Sequence, residues 1–193
     1  MLLAKDYVTP EDILKLPSIT NNYLCPIDAN IYDIEFLRYK IRDLKTGNTI
    51  LEISLSKDNE DIINDYFVEN DSNDLGRFIR YQFTPNFLKL KSIGATFEFK
   101  IGNKSIRNFR MIEKHYFRNT LLQCYDFNFG FCMPNSTNTW EHIYDVPSLT
   151  SSFINDIINN PFESKSDTFY FADGKLIIHN KADYSFNGVS HED

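Results

Sequence analysis

The sequence of 193 residues contains few glycines, prolines and cysteines: seven, seven and three, respectively. It has no glycine-rich phosphate loop, no nucleophile elbow and no zinc-type spacing of cysteine and histidine. Three cysteines, Cys25, Cys124 and Cys132, cannot all pair with one another. We therefore expect no enzyme, no metal site and no cofactor, and we expect His142 and His179 to be ordinary structural or surface histidines.

Positive charge is also scarce. There are 20 Lys and Arg against 27 Asp and Glu, which gives a net charge of -7 and a pI of about 5.1. A nucleic-acid binder needs a basic face that neutralises phosphates, and docking on an anionic membrane needs the same. The charge leaves room for a basic protein partner, although acidity that only keeps the protein in solution is an equally good explanation.

Long apolar runs are missing as well. No stretch approaches the roughly 20 apolar residues of a membrane-spanning helix. The chain starts Met1-Leu2-Leu3-Ala4 and runs straight into charged residues, so we expect neither a signal segment nor a lipid anchor. These features predict a cytoplasmic protein with reduced cysteines, and we expect a monomer.

Aromatic residues, by contrast, are abundant. Seventeen Phe, eleven Tyr and one Trp make up 15% of the chain, and such side chains favour strands. Alternation with a period of two runs through residues 51–55, 95–101 and 121–133. In the last of these, Leu121, Tyr125, Phe127, Phe129, Phe131 and Met133 share one face.

Other local signals complete the fold prediction. Thr9-Pro10-Glu11-Asp12 predicts a helix over about 10–16, and a second helix is predicted over 149–159. The alternation changes phase near Phe36-Leu37, which predicts either a β-bulge or a strand that changes sheets there. Asp173-Gly174 predicts a hairpin turn, and the acidic stretch 57–75 predicts a long surface loop. No linker divides the chain, so residues 1–193 are expected to form one all-β domain, a sandwich or a barrel.

One predicted strand, residues 110–118, carries charges on both faces. Arg110, Lys114 and Arg118 lie on the face with Ile112 and Tyr116, which is expected to meet water. Glu113 and His115 then face inward beside Met111 and Phe117, where an unpaired charge is costly. Three explanations are open. Glu113 and His115 hydrogen-bond to each other inside the protein, or this end of the strand reaches solvent, or the two side chains form a polar collar at the mouth of an apolar cavity. Tyr81, in residues 77–83, adds a hydroxyl to a similar apolar face.

Four segments carry a family resemblance. GRFIRYQFTP at 76–85, NFRMIEKHYFRN at 108–119, FNFGFC at 127–132 and HNKADY at 179–184 closely resemble the Unc-one-nineteen (uncoordinated) family. These lipid-binding trafficking chaperones are related to the delta subunit of rod cGMP phosphodiesterase. The resemblance runs from about Thr9 to Gly188. Tyr125 and Val146 stand where relatives carry phenylalanine.

The resemblance implies an immunoglobulin-like β-sandwich that holds a myristoyl chain between its sheets. It implies N-myristoylated proteins as cargo and a GTP-loaded Arf-like small GTPase as the partner that releases them. A ciliary or cytoskeleton-associated location would fit such traffic. By motif position, Tyr81, Glu113 and His115 would meet the first peptide groups of the cargo. Residues that would line or border the pocket are Tyr39, Phe87, Ile93, Phe97, Phe99, Tyr144, Tyr170 and Tyr184.

Two alternatives stay open. A carrier of prenylated C-termini would have a similar apolar interior but less reason for Glu113 and His115. A structural interaction sandwich would have a filled core and no cavity beneath Tyr81 and His115.

Overall fold

A computed structural model describes residues 7–54 and 76–188, and in them the chain is an all-β sandwich of two sheets. The predicted loop 57–75 lies outside the described residues. The first sheet has the order β2-β1-β4-β7 and is antiparallel throughout. Its strands are β1 (Glu35–Asp43), β2 (Thr49–Ser54), β4 (Ser92–Lys100) and β7 (Thr137–Asp145).

The second sheet has the order β3-β9-β8-β5-β6, and its first pair is parallel. Its strands are β3 (Phe78–Gln82), β5 (Ile106–Phe117), β6 (Thr120–Cys132), β8 (Ser164–Ala172) and β9 (Lys175–Ser185). Residues 7–54 and 76–188 also form two short helices, α1 (Pro10–Leu14) and α2 (Ser151–Asn159), and two 3₁₀ helices, Ile27–Ala29 and Pro85–Lys89. The all-β sandwich predicted from the sequence is confirmed.

The local signals account for the main turns and caps. Thr9 and Asp12 form a capping box at the start of α1, which ends two residues before the predicted end. Thr150 caps α2. Asp173 and Gly174 both have positive φ, 50° and 83°, and form the two-residue turn between β8 and β9. The predicted bulge in β1 is confirmed by a shift in its register with β4 between Phe36 and Arg38.

One end of the sandwich is filled with aromatic rings. Phe99 is fully buried between the sheets, with its ring centroid 5.3 Å from that of Phe109 and 5.5 Å from that of Phe129. Phe36 and Tyr170 close the same cluster at 5.0 Å. Edge-to-face and offset ring contacts of this kind add to the stabilisation from apolar burial.

The outward face of β5 was expected to meet water, and this prediction is wrong. Ile112, Lys114 and Tyr116 are all buried, because the N-terminal segment, residues 7–25, covers this face. Lys114 Nζ donates to the carbonyl oxygens of Ile13 at 3.2 Å and Leu16 at 2.6 Å. A second apolar cluster, including Ile13, Cys25, Ile112, Phe169, Phe171 and Leu176, lies under the segment.

The N-terminal segment is also held by buried polar groups. Asp167 accepts hydrogen bonds from Thr20 N at 2.7 Å and from Lys181 Nζ at 2.5 Å. His179 Nδ1 accepts from Leu24 N at 3.0 Å, and its Nε2 lies 3.2 Å from Asp167 Oδ1. His179 therefore has the structural role expected for it.

The face assigned to β6 also needs correction at both ends. Leu121, Phe131 and Met133 are exposed instead of facing the core. In its pairing with β5, β6 has one extra residue near each end, Leu122 and Phe129, and each of them reverses the faces of the residues beyond it. Gly130, next to the second extra residue, has a φ of 89°. Cys132 points inward as a result and is fully buried.

Candidate ligand-binding cavity

The end of the sandwich opposite the aromatic cluster holds a cavity between the sheets. Its empty space is about 850 Å³, counted up to and including the open mouth. The walls come from the late parts of β1, β5, β7 and β9, the early parts of β4, β6 and β8, and the segment before α2. Apolar residues on the walls include Ile41, Phe83, Phe87, Leu88, Ile93, Leu122, Val146, Pro147, Leu149, Ile157 and Phe186.

The helix α2 closes one side of this main cavity. Ile157 is buried against the cavity, and Phe153 meets Phe117 edge to face at a centroid distance of 5.4 Å. On the outer side of the helix, Asp156 pairs with Arg118 at 3.3 Å. The amphipathic pattern of the sequence thus places one wall of the cavity on a short helix.

A second, smaller space of about 440 Å³, counted with its open side, adjoins the main cavity, and Tyr81, Phe97 and Tyr170 contribute to its walls. Tyr39, Glu113 and Tyr184 line both spaces. These three side chains therefore stand between the main cavity and the inner space.

The structure brings together most of the site residues named from the sequence. Around the main cavity lie Tyr39, Phe87, Ile93, Glu113, His115, Tyr144 and Tyr184. Around the inner space lie Tyr81, Phe97 and Tyr170. Phe99 touches neither space and belongs to the filled aromatic cluster. Glu113 lies deeper than a collar at the mouth would, whereas His115, whose side chain is 29% exposed, lies on the mouth side.

Glu113 is a buried carboxylate with several partners. Tyr144 donates its hydroxyl to Oε2 at 2.7 Å, and Thr168 donates to Oε1 at 3.3 Å. His115 Nε2 lies 3.2 Å from Oε1, an ion-pair distance without the alignment of a hydrogen bond. Burial alone would raise the pKa of Glu113, but His115 and the Tyr144 hydroxyl outweigh burial and lower the pKa below its usual value. The carboxylate is therefore ionised at neutral pH.

The tyrosines around Glu113 keep their protons. Burial raises the pKa of Tyr144, Tyr170 and Tyr184, and the negative charge of Glu113 raises each of them further. Tyr81 is shifted upward by the same two causes. The inner part of the site is thus a ring of neutral hydroxyls around one negative charge, lined elsewhere by hydrocarbon.

Several wall residues were not predicted from the sequence. Leu122 and Phe186 lie on the wall, and the β6 register shift that admits Leu122 has no signal in the alternation. Gln123 interrupts the apolar face of β6, and it too lines the main cavity.

His142 is buried behind Tyr144, among the rings of Phe97, Phe127 and Trp140. Burial lowers the pKa of His142 to about 4, against a small opposing effect of Glu113.

Residues 7–54 and 76–188 contain no group of three or more His, Cys, Asp or Glu placed to hold a metal ion. None of the helices in these residues is long and apolar enough to cross a membrane.

Comparisons with known proteins identify the family. Residues 28–186 match the family described as GMP-PDE, delta subunit. The chain is 53% identical over 194 residues to Protein unc-119 homolog B of Homo sapiens, covering 97% of this chain and 75% of the human protein. It is 51% identical over 186 residues to Protein unc-119 of Caenorhabditis elegans, covering 96% of this chain and 83% of the nematode protein. The identity with Protein unc-119 homolog of Drosophila melanogaster is 46% over 194 residues, which covers 94% of this chain and 73% of the fly protein.

These matches span nearly the whole chain and confirm the resemblance found in its motifs. The chain belongs to the Unc-119 family within the GMP-PDE delta-subunit family, a family of lipid-binding transport proteins and not of enzymes.

Proposed function

We propose that this protein is a chaperone that sequesters the N-terminal myristoyl group of acylated cargo proteins between its two sheets. It keeps the cargo in solution for membrane or ciliary traffic and releases it when a GTP-loaded Arf-like GTPase binds. The observation that carries the proposal is an apolar cavity whose inner end holds an ionised Glu113 among tyrosine hydroxyls. In this arrangement the acyl chain lies against the apolar walls, and Tyr81, Glu113 and His115 meet the first peptide groups.

The energetics suit a carrier. Each buried methylene contributes about 0.8 kcal/mol, so a 14-carbon chain supplies on the order of 10 kcal/mol before ordering costs. A single myristoyl chain holds a protein on a membrane only marginally. A protein cavity can therefore compete with the bilayer for this chain.

The charge of Glu113 favours an N-terminal over a C-terminal ligand. A myristoylated N-terminus presents amide N–H groups, which a carboxylate accepts. A prenylated C-terminus with a free carboxylate would bring a second negative charge beside Glu113, which is 9% exposed. The main cavity also argues against a purely structural sandwich with a filled core.

The release step is supported by family membership, since proteins of the GMP-PDE delta family bind lipidated proteins and small GTPases. Thermodynamic linkage sets the condition under which a GTPase can release the cargo. The GTPase must bind the empty or opened form more tightly than the loaded form, and each factor of ten in cargo affinity requires about 1.4 kcal/mol of coupling.

A binding assay with three peptides tests the proposal: a myristoylated Gly peptide, the same peptide without the acyl group, and a farnesylated peptide. We expect tight binding of the myristoylated peptide only. Equal weak binding of all three would end the proposal, and preference for the farnesylated peptide would support the prenyl carrier. In the same assay, His115→Ala should weaken acyl-peptide binding more than it lowers the melting temperature, whereas the reverse order would make His115 structural.

A further inference from the structure

One side of the main cavity is bordered by the seam between β6 and β7. β6 is the last strand of the second sheet, and β7 is the last strand of the first sheet. Because they belong to different sheets, side chains and not a backbone ladder must hold this seam closed. Leu122, Gln123 and Tyr125 line the cavity from β6. Tyr144 of β7 and the next-but-one residue, Val146, line it from the other side. The seam is therefore part of the cavity wall.

Two tyrosines cross the seam in opposite directions. Tyr125 of β6 donates its hydroxyl to the carbonyl oxygen of Asp145, the last residue of β7, at 2.7 Å. Tyr144 of β7 donates its hydroxyl to Glu113 Oε2, also at 2.7 Å. Glu113 faces Tyr125 in the β5–β6 ladder, and the rings of the two tyrosines meet at 4.6 Å with 72° between their planes. Tyr125 and Tyr144 thus form a clasp that joins the two sheets beside the cavity.

The two bonds of the clasp have different acceptors. Tyr144 is bonded to Glu113, the carboxylate that meets the ligand in the proposed function. Tyr125 is bonded to a backbone carbonyl, which has no proton to gain or lose near neutral pH. Burial and the negative charges of Glu113 and Asp145 raise the pKa of Tyr125, so its hydroxyl keeps the proton that it donates. The Tyr125 bond can therefore be removed without taking a partner from Glu113.

The Tyr125 bond holds the part of the wall that would have to move if the cavity widened. Beyond Asp145, the wall continues through Pro147 and Leu149 to α2. Parting β6 from β7 would carry this stretch away from the second sheet. The bond joins protein groups only, so it can form with or without a ligand in the cavity. Its loss is then felt only in the opened form, and such an interaction changes rates more than equilibrium affinity.

We propose that the seam opens whenever an acyl chain enters or leaves the cavity, and that the Tyr125 hydroxyl sets the rate of this exchange by holding the seam closed. This inference rests on the proposed function. It adds to that function the part of the wall that moves and the residue that restrains it.

Stopped-flow fluorescence with a labelled myristoylated Gly peptide tests the inference in wild type and Tyr125→Phe. The substitution keeps the ring and removes only the hydroxyl. We expect the association and dissociation rate constants both to rise roughly three- to tenfold, which is the effect of one neutral hydrogen bond. The equilibrium affinity should change by less than about twofold, since the bond is lost equally from the free and the loaded protein.

Tyr7→Phe is the matched control, because it makes the same chemical change on the N-terminal segment. Tyr7 is 49% exposed, and its ring lies 5.1 Å from Lys175 Nζ and outside the main cavity. This variant should match wild type in both rate constants. Unchanged rate constants in Tyr125→Phe would overturn the inference. Faster dissociation with an equal loss of affinity would also overturn it, because the hydroxyl would then be a direct ligand contact.

Amide hydrogen exchange without any peptide tests the clasp independently of the proposed function. In Tyr125→Phe, the amides of residues 122–125 and 144–149 should exchange faster than in wild type, because the seam opens more often. The amides of residues 16–25, on the outer face of the second sheet, should be unaffected. Equal exchange in the two proteins would overturn the role of Tyr125 in the seam. Failure of wild type to bind any acylated peptide would instead overturn the proposed function, so the two failures are distinguishable.

Discussion

Glu113 and His142 lie in the same aromatic interior, one on each side of Tyr144. Their surroundings keep Glu113 charged and His142 neutral. Tyr144 donates to Glu113 at 2.7 Å, while its oxygen is 3.5 Å from His142 Nδ1. His142 Nε2 has no partner among the described residues. The carboxylate is thus satisfied and ionised, whereas the imidazole is neutral and has one buried nitrogen without a hydrogen bond.

The unpaired nitrogen predicts that His142→Phe stabilises the protein. The ring of His142 is stacked on Phe127, at 4.4 Å and 6° between planes, so a phenyl ring suits the position. Removing a buried polar atom without a partner should raise the free energy of unfolding by about 1 kcal/mol at pH 7. Urea unfolding measures this, and a loss of stability would show that the imidazole makes a favourable contact.

The same variant should be less sensitive to acid. The pKa of His142 is about 4 in the folded protein and 6.5 in the unfolded chain, so below pH 6.5 the unfolded chain takes up the proton first. Wild type therefore loses stability between about pH 6.5 and 4, by about 2 kcal/mol at pH 5 from this group alone. The stability difference between His142→Phe and wild type should grow by that amount from pH 7 to 5. A constant difference would mean that His142 titrates normally.

At the scale of elements, β5 is the strand that joins the cavity to the N-terminal segment. Its inward residues Glu113 and His115 line the cavity. Its outward residue Lys114 donates to two carbonyl groups at the end of α1. Consecutive residues of β5 thus line the cavity on one face and hold the N-terminal segment on the other.

Lys114→Met should detach the N-terminal segment. Met fills a similar volume but leaves the carbonyls of Ile13 and Leu16 without this donor, which predicts a loss of about 1–3 kcal/mol. Lys104→Met is the matched control, because Lys104 also donates to a carbonyl, that of Ile31 at 3.2 Å, but at an exposed site. Urea unfolding and amide hydrogen exchange of residues 16–25 measure the effect, and equal behaviour of the two variants would contradict it.

The strand pattern of the sequence predicted much of this architecture, and its failures have physical causes. Alternation in residues 95–101, the cap at Thr9 and the turn at Asp173-Gly174 depend on neighbouring residues alone, and the structure agrees with them. The outward face of β5 depends on a segment about 100 residues away in sequence, as the Lys114–Ile13 hydrogen bond shows. Alternation shows that one face of a strand carries both charged and apolar residues, but it cannot show which other segment of the chain covers that face.

The cavity was only partly predictable for a similar reason. Glu113 and His115 were found because charges on an apolar strand face need an explanation. Leu122 and Phe131 were misplaced, because one extra residue in a ladder reverses every later side chain and leaves no mark on composition. Phe186 lies just past the end of β9, where no period extends far enough to assign a face.

At the scale of the whole molecule, the sandwich is filled at one end and open at the other. The rings around Phe99 and Phe109 pack at the filled end, while apolar side chains at the other end surround empty space. Such space forfeits the dispersion contacts that a packed core would have. A protein that carries an acyl chain gains those contacts only when it is loaded.

Val146→Trp tests this division directly, since relatives carry phenylalanine at this position and only a still larger ring fills the space. The Val146 N–H is bonded to the Lys91 carbonyl at 2.9 Å, so the backbone there is fixed and a larger side chain must enter the cavity. Filling the space should leave stability unchanged or raise it by about 0.5–2 kcal/mol.

The same change should lower affinity for a myristoyl peptide at least about tenfold, since losing two buried methylenes alone costs about 1.6 kcal/mol. An octanoyl peptide, which needs less room, should lose less. Ile143→Trp is the matched control, since Ile143 is exposed on the other face of β7 and its replacement should change neither quantity. If Val146→Trp bound both acyl lengths like wild type, the acyl chain would have to lie elsewhere, and the open end of the sandwich would not be its site.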